Sequence, residues 1–154
     1  MPMQPCGQPE KLSYMGPYEK IIRSYFDACS EGEDTDISAH FSDDATIFDT
    51  NHPPVVGKPE IGVFWLKIRS KWQNAKWFVH RVVEDGETAA IEWAMTGDSQ
   101  GASFVIYGSE HYEFKDGLIF EIRQYWTFDP GNLGGGLINY PYGESGRLEG
   151  DSID

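Results

Sequence analysis

Positive charge is what this sequence has least of. Among 154 residues, 12 are Lys or Arg and 25 are Asp or Glu, a formal net charge of −13. Such a field repels polyphosphate and anionic headgroups, so neither nucleic acid nor a membrane surface is an expected partner. The plain consequence of the acidity is solubility. Cysteine is almost as scarce, with only Cys6 and Cys29, which leaves no disulfide framework and no CxxC spacing. The four histidines, His40, His52, His80 and His111, are dispersed without the spacing of metal ligands. No apolar run approaches the roughly 18 residues of a membrane span. The stretch Met1–Pro17 holds Pro, Gly and Gln but no apolar segment of the kind a signal peptide needs. No phosphate-binding glycine motif follows a strand. These absences together predict a reduced, cytoplasmic, soluble chain that works without metal or cofactor.

Apolar and aromatic residues are plentiful, at 40% and 14% of the chain, enough for one domain with a real core. From Tyr18 to Cys29 the apolar side chains Tyr18, Ile21, Ile22, Tyr25, Phe26 and Cys29 recur with helical period, and Pro17 precedes them at a position that tolerates proline. Thr35 or Asp36 is placed to cap a short second helix through Phe41, ended by Ser42–Asp44. Ala45–Asn51 reads as a short strand, broken by Pro53 and Pro54, and Gly57–Glu60 opens a third helix with Ile61, Phe64, Trp65, Ile68 and Trp72 on one face. Beyond Trp72 the period falls to two. Strands are predicted over Lys76–Glu84, Thr88–Gly97, Ser103–Phe114 and Leu118–Asp129, joined by turns such as Asp85-Gly86 and Lys115-Asp116-Gly117. Helices followed by an antiparallel meander make an α+β fold. The expected division is a loose segment 1–17, a domain 18–129, and a glycine-rich tail 130–154 that folds over the pocket mouth or a neighbouring subunit.

The informative positions are polar residues on apolar parity. Glu110 is the one charged residue among Phe104, Ile106, Gly108, Tyr112 and Phe114, and a carboxylate there must be paired, hydrogen-bonded or protonated. Gln124 stands out in the set Leu118, Phe120, Ile122, Trp126 and Phe128, and Asp49 shares parity with Ala45 and Ile47. His80 falls with Phe78 and Val82, and Tyr25 lies on the apolar stripe of the first helix. Each has a structural alternative. Asp49 is also placed to cap the turn at Thr50-Asn51-His52, Tyr25 and His80 could be ordinary interior residues, and a bulge near Gly108 would turn Glu110 outward.

The run Phe41 to Asp49, with the proline-containing loop and Gly57 after it, resembles the entry into the first strand of ketosteroid isomerase and SnoaL-like proteins of the nuclear transport factor 2-like superfamily. Glu110–Gly117 is similar to their penultimate strand and hairpin, and Ile119–Trp126 to their last strand; the likeness spans residues 18–129. It implies a cone-shaped curved antiparallel sheet packed on N-terminal helices, around one apolar pocket. Position by position, it puts the isomerase's base at Asp49, its tyrosine donor at Tyr25 and its protonated acid at Glu110, in place of an aspartate. An acid kept neutral by apolar surroundings can donate to an oxyanion. His80 resembles the histidine in the second strand of scytalone dehydratase-like members, whose second histidine has no clear counterpart. Arg123-Gln124 lacks the aspartate of the limonene epoxide hydrolases. The resemblance also implies a homodimer or homotrimer, since the outer face of the sheet is usually covered in this family.

The expected activity is cofactor-independent acid–base chemistry, a lyase or isomerase reaction on a small apolar, aromatic or polycyclic substrate. Asp49 is the base, Tyr25 and Glu110 steady the oxyanion, and His80 serves as a second acid or base. Trp65, Trp93, Tyr112, Gln124 and Trp126 are the expected substrate-binding wall. The alternative is a non-catalytic ligand-binding or assembly module of the same fold.

Overall fold

A computed structural model describes residues 15–127 and 136–144. The elements in order are α1 (Pro17–Glu31), α2 (Asp34–Ser38), β1 (Phe41–Asp49), β2 (Val55–Val56), α3 (Lys58–Ser70), β3 (Gln73–Asp85), β4 (Thr88–Ser99), β5 (Ala102–Lys115) and β6 (Leu118–Tyr125). The strands form one curved, unclosed sheet in the order β2-β1-β6-β5-β4-β3, with the helices packed on its inner face. Neighbours pair antiparallel except β1 and β6, which run parallel. This is the expected α+β architecture. Among the described residues no helix is long and apolar enough to cross a membrane.

The amphipathic stripe of α1 buries Ile22, Tyr25, Phe26 and Cys29. Its first turn lacks a local side-chain cap; instead the Glu19 backbone N–H donates to Glu84 Oε1 of β3 at 2.5 Å, so a distant carboxylate meets the positive end of the helix dipole. The second helix departs from expectation. Glu33 caps it through a capping box with Asp36, and it ends at Ser38. Phe41 belongs to β1, where it pairs with Ile119 and is fully buried, because its side chain fills the core only from the strand.

In β3 the inner side chains are Ala75, Trp77, Val79 and Val82, with a register shift between Val79 and Arg81. His80 sits in that irregularity and is exposed, and Phe78 also faces outward. The expected grouping of His80 with Phe78 and Val82 on one inner face is therefore corrected. A second irregularity, between Glu113 and Phe114 against β6, puts Ile119 rather than Leu118 or Phe120 among the most buried residues of the last strand. No bulge arises at Gly108, and Glu110 points inward at 3% exposure.

The outer face leaves Phe78, Val83, Val105 and Tyr107 exposed, with Phe78, Ala94 and Tyr107 aligned across β3, β4 and β5. Of the tail, residues 136–144 are described. Leu137 and Tyr140 pack on Phe48 and beside Tyr125, and the Ile138 N–H donates to the Asp49 carbonyl at 2.9 Å. Phe48 faces away from Asp49, so this part of the tail closes the outer side of β1 and β6. The rest of 130–154, and the segment before Met15, lie outside the described residues.

Candidate active site

The three polar outliers of the strands fall in a single row. Asp49 of β1 is the register partner of Gln124 in β6, Gln124 of Glu110 in β5, and Glu110 of Ile91 in β4. Paired residues on adjacent strands share a face and stand about 5 Å apart. The row thus lays a carboxylate, an amide and a carboxyl side by side across the inner surface of the sheet. All three are buried.

Between this row and α3 lies a cavity of about 180 Å³. Its wall contains Trp65, Trp72, Trp77, Trp93 and Trp126, which are all five tryptophans of the chain, together with Asp49 and Gln124. Gly108 makes room for this wall. A Cβ at that position would lie 2.5 Å from Cζ2 of Trp93 and 2.9 Å from Cβ of Trp126. The β5 strand therefore needs its glycine where the Trp93 indole and the Trp126 side chain approach it.

Asp49 is fully buried, yet it is well supplied with donors. The Trp126 indole N–H reaches its two oxygens at 2.9 and 3.1 Å, and the Asn51 backbone N–H donates to Oδ1 at 2.6 Å. The latter is the turn cap anticipated as an alternative, and it occupies only one oxygen. At the other, His52 Nε2 stands 3.5 Å from Oδ2. His52 Nδ1 is 2.8 Å from the Pro53 carbonyl, which can only accept, so Nδ1 carries a proton. Burial pulls the imidazolium pKa down, but the hydrogen bond to Asp49, the Pro53 carbonyl and the Asp49 charge outweigh it and leave it raised. His52 joins a buried carboxylate to solvent, and sequence analysis overlooked it. The signal was the Asp-x-x-His spacing itself, in a loop with no periodicity to assign faces.

Glu110 lies deeper. With Tyr25, Phe26 and Cys29 it borders a second, far smaller cavity of about 10 Å³, separated from the first by Trp65 and Trp77, which line both. Its Oε2 accepts from the Tyr112 hydroxyl. Burial pushes the Glu110 carboxyl up to about 8; the Tyr112 bond opposes this and the Asp49 charge adds to it. Tyr25 is also held well above its ordinary range, first by burial and then by Cys29 and Glu110. The Trp65 indole N–H is near enough to favour the Tyr25 anion but forms no hydrogen bond.

Of the expected site residues, then, Asp49, Trp65, Trp93, Gln124 and Trp126 line the main cavity. Tyr25 and Glu110 stand together behind the Trp65–Trp77 partition. Tyr112 is wholly buried, stacked on Phe114 and bonded to Glu110, and is not on the main wall where it was expected. His80 lies on the opposite face of the sheet, at an outer groove with Glu92 and Tyr107. Among the described residues no group of three or more His, Cys, Asp or Glu is arranged to hold a metal ion.

Residues 22–122 match the SnoaL-like domain family. Among solved structures, a protein of unknown function with a cystatin-like fold from Methylobium petroleophilum PM1 is 26% identical, with a TM-score of 0.73 over 83% of this chain and 88% of that one. A protein with a ketosteroid isomerase-like fold from Catenulispora acidiphila, solved with trimethylamine, is 14% identical, with a TM-score of 0.63 over 72% and 86%. An LEH-like epoxide hydrolase of M. tuberculosis is 15% identical, with a TM-score of 0.61 over 70% and 80%. No curated protein matches the chain. The chain belongs to the SnoaL-like domain family and has the nuclear transport factor 2-like fold.

Proposed function

We propose that this protein is a cofactor-independent acid–base enzyme, a lyase or isomerase, that takes a proton from an apolar aromatic substrate seated among its tryptophans. The observation that carries the proposal is Asp49, a fully buried carboxylate on the wall of an apolar cavity, with an imidazole 3.5 Å away. Asp49 abstracts a proton from a carbon next to a substrate carbonyl, and the bonding pair moves into that carbonyl as an enolate. The same proton returns at another carbon, or a leaving group departs, which gives isomerisation or elimination. His52 carries protons between Asp49 and water. Glu110, held neutral, keeps the row from bearing two like charges and leaves Asp49 as the base. With Tyr25 it acts on the substrate through the field rather than by touching it, since Trp65 and Trp77 stand between.

The protein is expected to speed deuterium exchange from D₂O into 2-tetralone, a bicyclic ketone with acidic carbon–hydrogen bonds, above the buffer rate. EDTA should leave that rate unchanged. Exchange at the buffer rate would contradict the proposal, and loss on chelation reversed by a divalent ion would contradict its metal-free form.

The outer face fits a second copy of the chain. Tyr107 is 68% exposed and Phe78 45%, in line across neighbouring strands, and such a patch is rarely left bare. Light scattering is expected to give the mass of a dimer or trimer, reduced to that of a monomer by Tyr107→Glu. A monomeric wild-type protein would refute this arrangement.

A further inference from the structure

Three buried side-chain polar atoms among the described residues have no hydrogen-bond partner: Trp65 Nε1, Trp93 Nε1 and Gln124 Oε1. The three residues come from α3, β4 and β6 and all line the 180 Å³ cavity, but Trp65 lines the small cavity as well, and its N–H lies toward Tyr25 there, which leaves Trp93 Nε1 and Gln124 Oε1 to the main cavity. Buried polar groups in folded proteins are normally paired, and those that are not are costly to keep. A donor and an acceptor left unpaired on one cavity wall, Trp93 Nε1 and Gln124 Oε1, mark that wall as built for a partner. The indole N–H can only donate, and the amide oxygen accepts. Around them the wall is aromatic and flat.

We infer that the ligand of this cavity is a planar one- or two-ring compound that carries an oxygen to accept from the Trp93 indole and an O–H or N–H to donate to Gln124. Size sets the ring count. A cavity of 150 Å³ is known to take benzene, so 180 Å³ holds one substituted ring or a fused pair but not a four-ring body. Polarity sets the substituents. A purely apolar ring would seal these two orphaned groups from water without pairing them, whereas a phenol, hydroxyketone or similar oxygenated ring satisfies them. The inference deepens the proposed function by naming the substrate class of the same cavity, and rests on that cavity being the substrate site.

The test uses 2-naphthol, naphthalene and 1-hydroxypyrene as probes. Their binding is measured by calorimetry, and the five indole N–H resonances are followed by ¹H–¹⁵N NMR. The inference expects 2-naphthol to bind at least about tenfold tighter than naphthalene, which is about 1.4 kcal/mol. It also expects the Trp93 N–H resonance to move downfield with 2-naphthol alone, and 1-hydroxypyrene to bind at least about tenfold more weakly than 2-naphthol. In Trp93→Phe and Gln124→Leu, which keep apolar shape and lose the polar atom, the preference for 2-naphthol should shrink. Equal affinity for naphthalene and 2-naphthol, a preference unchanged in both variants, or tight binding of 1-hydroxypyrene would each overturn the inference. Those results would leave the proton-transfer proposal standing, because it is judged by exchange into 2-tetralone. Failure of every probe to bind would overturn the inference, while exchange into 2-tetralone would still decide the proton-transfer proposal.

Discussion

Glu110→Gln is expected to flatten the fall of melting temperature between about pH 5 and pH 8, making the variant as stable as wild type at the acid end and more stable at the alkaline end. The carboxyl titrates near 4.5 in the unfolded chain and at about 8 in the fold. Between those values the folded protein holds a proton that the unfolded chain has released. Stability from this group is therefore complete below about 4.5 and is lost as pH rises through 8. At about 1.4 kcal/mol for each unit of difference, the loss has a ceiling of about 5 kcal/mol, most of it reached by pH 8. Glutamine cannot ionise, still accepts from Tyr112, and keeps the shape. The same experiment on Glu110→Ala should give a less stable protein at every pH. It leaves the Tyr112 hydroxyl buried without its acceptor, at about 1–3 kcal/mol, and opens a void. Activity should follow the same order, with the Gln variant retaining more than the Ala variant. His52 contributes a pH dependence of the same sign, because its pKa is raised in the fold, but it does so in wild type and variant alike. The difference between the two melting curves isolates Glu110. Parallel curves would mean that Glu110 is ionised in the fold, and a Gln variant as inactive as Ala would mean that its proton is itself needed.

Much of this site could be read from the chain because burial in a strand has a period of two. Asp49, Glu110 and Gln124 each broke an apolar parity in a different strand, and each faces inward. Their alignment in one row was not legible, since it depends on the parallel pairing of β1 with β6, strands separated by most of the domain. His80 was misassigned for a related reason. Phe78 and His80 face outward, opposite Ala75, Trp77 and Val79, and the one extra residue after Val79 turns Val82 inward, so an unbroken period of two groups His80 with a core valine that lies on the other face. The partition of Tyr25 and Glu110 from Asp49 by Trp65 and Trp77 is a packing outcome, invisible to offset counting along the chain. His52 went unread because loop residues carry no period, and only the folded turn brings it to Asp49. The short helix stops at Ser38 and does not run through Phe41, because the pairing of Phe41 with Ile119, a contact distant in sequence, commits it to β1.

Asp49→Asn is expected to lower turnover by at least about 10²-fold, because general-base steps contribute about 10²–10⁴-fold. Asparagine keeps an oxygen for the Trp126 indole and the Asn51 N–H, so the turn and the wall should persist. Folding is checked by circular dichroism and melting, which should stay close to wild type. A change confined to the proton-accepting capacity of one buried oxygen therefore separates catalysis from structure, and from the turn-capping role that the same side chain fulfils. The most direct measurement is deuterium incorporation into 2-tetralone by wild type and Asp49→Asn side by side, at saturating ketone and neutral pH. The account predicts enzyme-catalysed exchange that falls at least about 10²-fold in the variant while 2-tetralone still binds. Exchange that persists at the wild-type rate in Asp49→Asn would show that Asp49 is a turn cap and not the base.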